Sequence, residues 1–124
     1  MIDHLSVGVA DLEASIRFYD ATLAPLGYRR VYNVDGAAAY GREFPAFWIN
    51  LPLEGTASAG NGFHVCFQAR TRAAVAAFHA AALEAGATDA GAPGLRPEYG
   101  ETYFGAFAYD PDGHKIEAVC YAPE

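Results

Sequence analysis

The fold is decided by the stretch Asp3-His4-Leu5-Ser6-Val7-Gly8-Val9, which returns in outline as Phe63-His64-Val65-Cys66-Phe67-Gln68-Ala69 at an offset of 64 − 4 = 60 positions. Each histidine opens a run of alternating apolar residues, a pattern that predicts a half-buried strand. Asp11 and Thr71 then fall at equivalent places, and both residue types cap helix N-termini. Four more identities share the offset: Ala14 with Ala74, Phe18 with Phe78, Ala21 with Ala81, and Leu23 with Leu83. The sequence therefore predicts two copies of one strand-helix-strands unit.

Periodicity and turn chemistry predict the remaining elements. We expect helices over 11–26 and 71–85, and strands over 2–9, 28–34, 37–42, 46–51, 63–69, 103–109 and 115–121. Asp35-Gly36 reads as a hairpin turn, and Asp110-Pro111-Asp112-Gly113 as the turn before the last strand. One further strand is expected over 95–99, within the long loop of the second half.

Composition limits both the architecture and the partners. A chain of 124 residues with 52% hydrophobic content closes one core. We therefore expect a single domain over 1–124, with half-modules at about 1–51 and 63–124. A net charge of −7 and a pI near 4.9 disfavour nucleic acid and anionic membrane surfaces as partners. The beginning of the sequence shows no signal-peptide pattern, so a cytoplasmic location is expected.

Strand alternation places chemically different residues on opposite faces of each strand. Apolar side chains occupy the face that a helix would cover, for example Leu5 and Val7. The opposite face, called the open face below, receives most of the polar strand residues: His4, Ser6, Trp48, Asn50, His64, Cys66, Gln68, Lys115, Glu117 and Tyr121. Such a face would line a cavity for a small molecule.

The two cysteines and two of the histidines carry simpler expectations. Cys66 and Cys120 lie within alternating apolar strands, so we expect buried free thiols rather than a disulfide. His79, on the second helix, and His114, in the last turn, are expected to be solvated surface residues.

These motifs resemble the vicinal oxygen chelate superfamily, which includes glyoxalase I, fosfomycin-resistance thiol transferases, extradiol dioxygenases and bleomycin-resistance proteins. The resemblance covers nearly the whole chain. It rests on the two histidine strands, Phe18-Tyr19, Leu26-Gly27-Tyr28, and above all the ending Asp110-Pro111-Asp112-Gly113-His114-Lys115-Ile116-Glu117. The implied fold is α+β: two βαβββ modules forming a cupped mixed sheet with helices on the outer face.

The resemblance also implies a site. His4, His64 and Glu117 match the metal-ligand positions, with Glu117 also the catalytic residue. Two imidazoles and one carboxylate suit Fe, Mn, Ni, Co or Zn, and leave positions open for two substrate oxygens. The expected substrate-pocket residues are Trp48, Asn50, Tyr40, Arg42, Tyr103, Phe107 and Tyr121.

One position departs from glyoxalase I. That enzyme has a second metal-binding carboxylate on the fourth strand, where Asn50 stands here if Ile49 is aligned with Ile116. Because Asn cannot act as a general base at neutral pH, hemithioacetal isomerisation is disfavoured.

Three functions remain open from the sequence. The first is a metal-dependent glyoxalase-like or dioxygenase-like enzyme that chelates a small substrate through vicinal oxygens. The second is a non-catalytic protein that sequesters a small hydrophobic molecule, and the third is a thiol transferase acting on an epoxide. A homodimer is expected in each case, because many members of the resembled family complete the cupped sheet with the partner's other half.

Overall fold

The computed structural model of the chain describes residues 1–123. Two helices and eight strands follow each other in two similar halves, which we call module 1 and module 2. Module 1 comprises β1 (Leu5–Gly8), α1 (Leu12–Leu23), β2 (Arg29–Val34), β3 (Ala37–Gly41) and β4 (Phe47–Asn50). Module 2 comprises β5 (His64–Gln68), α2 (Arg72–Glu84), β6 (Thr88–Leu95), β7 (Phe104–Tyr109) and β8 (Lys115–Cys120).

Each module forms its own mixed four-stranded sheet. The strand orders are β1-β4-β3-β2 and β5-β8-β7-β6, with the first pair of each parallel and the other pairs antiparallel. The predicted α+β fold of two βαβββ modules is confirmed. Within the described chain, β1 and β5 are edge strands of separate sheets, so each has a backbone edge that no strand in residues 1–123 pairs.

The predicted helix starts are confirmed by their caps. The Asp11 carboxylate accepts a hydrogen bond from the Ala14 N–H at 3.1 Å, and the Thr71 hydroxyl accepts one from the Ala74 N–H at 3.0 Å. These side chains satisfy backbone donors that the first helical turn leaves without partners. A 3₁₀ turn over Ala24–Leu26 follows α1 and ends at Gly27, whose φ of 82° favours glycine.

The strand predicted over 95–99 is wrong, because the sixth strand, Thr88–Leu95, lies earlier in the chain. Its pairing with β7 shifts register on both sides of Gly91, and such irregular pairing hides the alternation that marks a strand. A side chain at Gly91 would come within 3.0 Å of the Phe107 ring. The close approach of that ring explains a glycine in this strand.

Residues of both modules share one hydrophobic core between the helices and the sheets. Phe18, Tyr19 and Leu23 of α1 and Phe78 of α2 are almost completely buried, and the strands contribute Val7, Ile49 and Ile116 from their helix-covered faces. The alternation predicted for the strands is therefore confirmed, and it leaves the open face of each sheet free for other contacts.

Candidate functional site

His64 and Glu117 meet on the open face of module 2. Nε2 of His64 lies 2.7 Å from Oε1 of Glu117. The parallel pairing of β5 with β8 sets Cys66 opposite Glu117, and His64 stands two residues earlier on the same face. Glu117 is only 1% exposed, while the imidazole remains half open to solvent. A buried carboxylate needs partners for its oxygens, and this histidine is one of them.

Tyr103 supplies the second partner. Its hydroxyl donates a hydrogen bond to Oε2, the other oxygen of Glu117. Burial, together with this bond to Glu117, raises the pKa of Tyr103 above its ordinary value, so the hydroxyl keeps its proton. Gly105 on the neighbouring strand leaves the necessary room, because a side chain there would meet Oε2 of Glu117 at 3.1 Å. The sequence marked Tyr103 as a pocket aromatic but gave no signal of this bond.

Cys66 lies beside this pair and is exposed, so the prediction of a buried thiol is wrong for Cys66. Its side chain is on the open face, opposite the apolar residues of β5 that pack under the helix. Local burial and the charge of Glu117 raise the pKa of the Cys66 thiol to about 12. The thiol therefore stays neutral near pH 7 and is a poor nucleophile. Cys120 is buried, as expected.

The matching face of module 1 carries His4 and Trp48. Their ring centroids lie 6.4 Å apart in an edge-on arrangement, and Tyr32 packs on the indole at 5.4 Å. Nδ1 of His4 lies 2.6 Å from the carboxylate of Asp3, and the imidazole is exposed. No group of three ligand atoms within 4.8 Å of one another, in the described residues, contains His4, His64 or Glu117. One chain thus brings two of the three predicted ligands together and holds the third apart.

Strand register corrects the alignment of Asn50 with Glu117. In module 2, Cys66 stands opposite Glu117; in module 1, the equivalent Ser6 stands opposite Trp48. Asn50 instead pairs with Gly8, two residues further along. The module-symmetric counterpart of Glu117 is therefore Trp48. Aligning Ile49 with Ile116 misplaced it, because sequence similarity around an isoleucine does not fix hydrogen-bond register.

Phe107, predicted as a pocket residue, lies next to the His64–Glu117 pair. It stands opposite Glu117 in the β7–β8 ladder, and its ring centroid is 6.1 Å from that of His64. Two cations cover the ring: Nζ of Lys115 at 5.2 Å and Cζ of Arg96 at 5.5 Å from its centroid. Tyr121 joins the same face through Tyr103, with ring centroids 5.3 Å apart. The open face of module 2 is therefore both aromatic and polar.

Two other predicted pocket residues lie elsewhere. Tyr40 is buried on the helix-covered face, where its hydroxyl donates to Oδ1 of Asp20 at 2.9 Å. Arg42 lies just beyond β3, and its guanidinium stacks on the Tyr28 ring at 4.5 Å from the centroid. Neither side chain forms a hydrogen bond with His64 or Glu117 within residues 1–123. Asn50 remains on the open face and donates to the Leu51 carbonyl at 3.1 Å.

The turn Asp110–His114 holds a second cluster of potential metal ligands. Asp110, Asp112 and His114 place one ligand atom each within 4.8 Å of one another. Oδ1 of Asp110 accepts bonds from the backbone N–H groups of Asp112 and His114, and Oδ2 accepts one from the Tyr19 hydroxyl at 2.5 Å. Asp112 accepts a bond from the Ala10 N–H at 2.9 Å. Because protein donors already use these oxygens, we assign the cluster a structural role: it fastens the last turn of module 2 to α1 of module 1.

The histidine predictions for positions 79 and 114 are wrong, since both side chains are buried, at 7% and 2% exposed. His79 pairs with Asp89 at 2.9 Å, and Nδ1 of His114 lies 2.8 Å from Oδ2 of Asp110. The Asp89 partner of His79 lies on β6, and the Asp110 partner of His114 lies four residues earlier in the same turn. Tertiary pairing overrides the usual exposure of a lone polar residue.

The Asp110–His114 pair predicts a pH-dependent stability. Burial lowers the pKa of His114, but the hydrogen bond and charge of Asp110 outweigh it, so the folded pKa lies above the ordinary value of 6.5. The stabilisation is then complete below about pH 6.5, the ordinary pKa of an unfolded histidine, and is lost as the pH rises through the folded value. We expect the difference in melting temperature between the parent and His114→Gln to shrink from pH 6 upward. A difference that stays constant or grows over this range would contradict the assignment.

The family model of the Glyoxalase/Bleomycin resistance protein/Dioxygenase superfamily matches residues 1–118. A glyoxalase/bleomycin resistance protein from Albidiferax ferrireducens is 36% identical, with a TM-score of 0.88 over 97% of this chain and 98% of that chain. A glyoxalase-related enzyme from Fulvimarina pelagi is 22% identical, with a TM-score of 0.75 over 97% and 87%. A glyoxalase/bleomycin resistance protein/dioxygenase family enzyme from Burkholderia phytofirmans is 17% identical, with a TM-score of 0.73 over 97% and 98%. A search of curated proteins gave no match.

The chain therefore belongs to the glyoxalase/bleomycin resistance protein/dioxygenase superfamily. The resemblance seen in the sequence is confirmed. Neither helix of the described chain has the length and apolar character needed to span a bilayer.

Proposed function

We propose that the protein is a metal-dependent enzyme of glyoxalase-like or dioxygenase-like type, acting on a small substrate chelated through paired oxygens. The observation that carries this proposal is the contact between His64 and Glu117, 2.7 Å apart on the open face of module 2. Both groups are among the metal ligands that the sequence resemblance implies. Elemental analysis of protein purified without chelator or affinity metal is the experiment that tests it.

The donor set fits a divalent ion. An imidazole nitrogen and a carboxylate oxygen within hydrogen-bond distance of each other can both turn toward one ion. The carboxylate belongs to Glu117, a residue that is only 1% exposed. Buried charges in proteins are paired or bound to metals. An ion held there supplies Lewis-acid polarisation of a substrate oxygen. The identity of the metal is left open among Fe, Mn, Ni, Co and Zn.

The residues around the pair have separate tasks in this proposal. Tyr103 orients the Glu117 carboxylate by donating to Oε2, which leaves Oε1 directed toward His64. Glu117 is the proposed catalytic residue, because a carboxylate can accept a proton from the bound substrate. Phe107 packs beside the His64 ring and Tyr121 against the Tyr103 ring, so both offer aromatic contacts to a substrate.

We propose that a second copy of the chain supplies the third ligand. His4 is held apart from His64 and Glu117 within one chain, and β1 and β5 end their sheets as free edges. Large apolar side chains are also exposed, among them Tyr32, Tyr99 and Tyr121 at 49%, 64% and 60%. A two-fold dimer would bring His4 of one copy to the pair of the other and cover this apolar surface.

Mixing two inactive variants tests the shared site. In a heterodimer of His4→Ala and Glu117→Ala chains, one site keeps all three ligands and the other loses two. Random exchange of equal amounts gives half heterodimers, so about a quarter of the sites should recover metal binding. The measurement is bound metal per site after exchange, verified by mass spectrometry of the dimers.

The control for this mixture is the pair His64→Ala with Glu117→Ala. Both ligands of each site belong to one chain, so every site of this heterodimer lacks either His64 or Glu117, and no metal binding should recover whether or not His4 is shared. Recovery in the His4 mixture but not in the control would support the shared site, whereas no recovery in the His4 mixture after verified exchange would show that all three ligands come from one chain.

Two alternatives make different predictions. A sequestering protein would use the aromatic open face to hold an apolar molecule without needing metal, so tight metal binding would count against it. A thiol transferase acting on an epoxide would need an external thiol, because the Cys66 thiol is kept neutral by its raised pKa of about 12. Dependence of turnover on glutathione would favour that alternative.

The two free cysteines fit the reducing cytoplasm, which we propose as the location.

A further inference from the structure

A groove with two arginines lies at the junction of the modules, and neither His64 nor Glu117 lines it. A cavity of about 740 Å³ lies between the segment that follows α1 and the start of α2, and a smaller one of about 290 Å³ adjoins it. Arg42 of module 1 and Arg70 of module 2 line both cavities. Leu26 and Phe44 form apolar parts of the larger one, and Tyr121 lines the smaller one. We call this pair of cavities the junction groove.

Neither arginine has a carboxylate partner among residues 1–123. The Arg42 guanidinium is held by neutral groups: its Nη1 lies 3.4 Å from the Tyr28 hydroxyl, and its Nη2 lies 3.3 Å from the Leu26 carbonyl. Arg70 is exposed and makes no hydrogen bond or ion pair within residues 1–123. Glu43 lines the larger cavity but forms no ion pair with either arginine within those residues. The groove thus holds two guanidinium groups and one carboxylate, and no ion pair joins them within residues 1–123.

Arg42 and Arg30 are held by different kinds of group, although acidic residues outnumber basic ones by 15 to 8 in the chain. Arg30, for comparison, pairs with Asp20 at 3.2 Å. Holding Arg42 against a tyrosine ring and a carbonyl fixes the direction of its guanidinium without satisfying its charge. A planar guanidinium with free N–H groups matches a carboxylate in shape and charge.

We propose that the junction groove binds a small organic carboxylate, with Arg42 and Arg70 holding the carboxylate and Leu26 and Phe44 contacting an apolar or aromatic body. Phe44 supports the second part, because its side chain is 54% exposed at the rim of the groove. None of the proposed metal ligands lines the groove, so the two sites are tested separately.

Phenylacetate is a suitable probe, with phenylacetamide as its neutral counterpart of the same shape. Binding is followed by amide chemical shifts in a proton–nitrogen correlation spectrum, where Gly41, Ala46, Thr71 and Ala74 line the larger cavity. We expect these amides to shift with phenylacetate and not with phenylacetamide. Charge-assisted hydrogen bonds are strong enough that Arg42→Gln and Arg70→Gln should each weaken binding by about 10- to 100-fold.

Arg29→Gln is the matched control, because Arg29 is exposed on β2 and does not line the junction groove. It should leave phenylacetate binding unchanged. Equal binding of the amide, or unchanged affinity in both groove variants, would overturn the proposal. Metal uptake is measured on the same proteins and should stay at the parent level, so a failed anion site is distinguishable from a failed metal site. Melting curves of each variant confirm that a lost response reflects the site and not unfolding.

Discussion

His64→Ala and Glu117→Ala should each weaken binding of a divalent ion by more than about 100-fold. Substitutions that only reorient a metal ligand already cost about 10- to 100-fold in affinity, and removing one of three ligands should cost more. The parent should carry or take up about one ion per chain, since one His4, one His64 and one Glu117 are available per chain. Titration calorimetry with Mn, Ni and Zn measures the affinities, and elemental analysis gives the stoichiometry.

Gln68→Ala is the control for these variants. Gln68 lies on the same strand and the same open face as His64, and it is exposed. Its loss should leave metal affinity at the parent value. Parent-like affinity in both His64→Ala and Glu117→Ala, with intact folding, would show that the ion binds elsewhere.

Trp48→Glu should create a fourth ligand and a second carboxylate base in addition to Glu117, and with them hemithioacetal isomerisation. Trp48 occupies the register position in module 1 that Glu117 occupies in module 2. Glyoxalase I, which the sequence resembles, has a carboxylate on this strand. General-base catalysis raises a reaction rate by about 10²- to 10⁴-fold. We expect the parent to be weak or inactive on the methylglyoxal–glutathione adduct, and the variant to gain activity within that range.

Asn50→Glu is the control for this prediction, because it adds a carboxylate to the same face at a different register position. Asn50 is on the same face but two residues beyond the counterpart of Glu117. Its variant should gain neither metal affinity nor isomerase activity. A gain in Asn50→Glu without one in Trp48→Glu would mean that the sequence alignment, and not the strand register, locates the missing carboxylate. Strong activity in the parent would show that another residue serves as the base.

The sequence predicted which residues lie on the open face, but not how their side chains bond to one another. Alternation along β5 and β8 placed His64 and Glu117 on one side of their strands, and the structure brings them to 2.7 Å. The bond from Tyr103 to Glu117 was not predictable, because it depends on the space left by Gly105 on the adjacent strand. The burial of Tyr40 with its hydroxyl on Asp20 was not predictable either, because strand boundaries alone do not say which face a ring turns to.

The sequence by itself determined the two βαβββ modules, the helix caps at Asp11 and Thr71, the tight turns and the chemical types of the candidate ligands. These features depend on interactions within a few residues, so periodicity and turn chemistry reveal them. Only the tertiary structure decided that Trp48 is the counterpart of Glu117, that Asp110 is buried against Tyr19, and that Arg42 and Arg70 line one groove at the module junction. Each of these depends on strand register or packing between segments far apart in the chain. Such contacts are selected by the shape and hydrogen bonding of the whole fold, and they leave no local mark in the sequence.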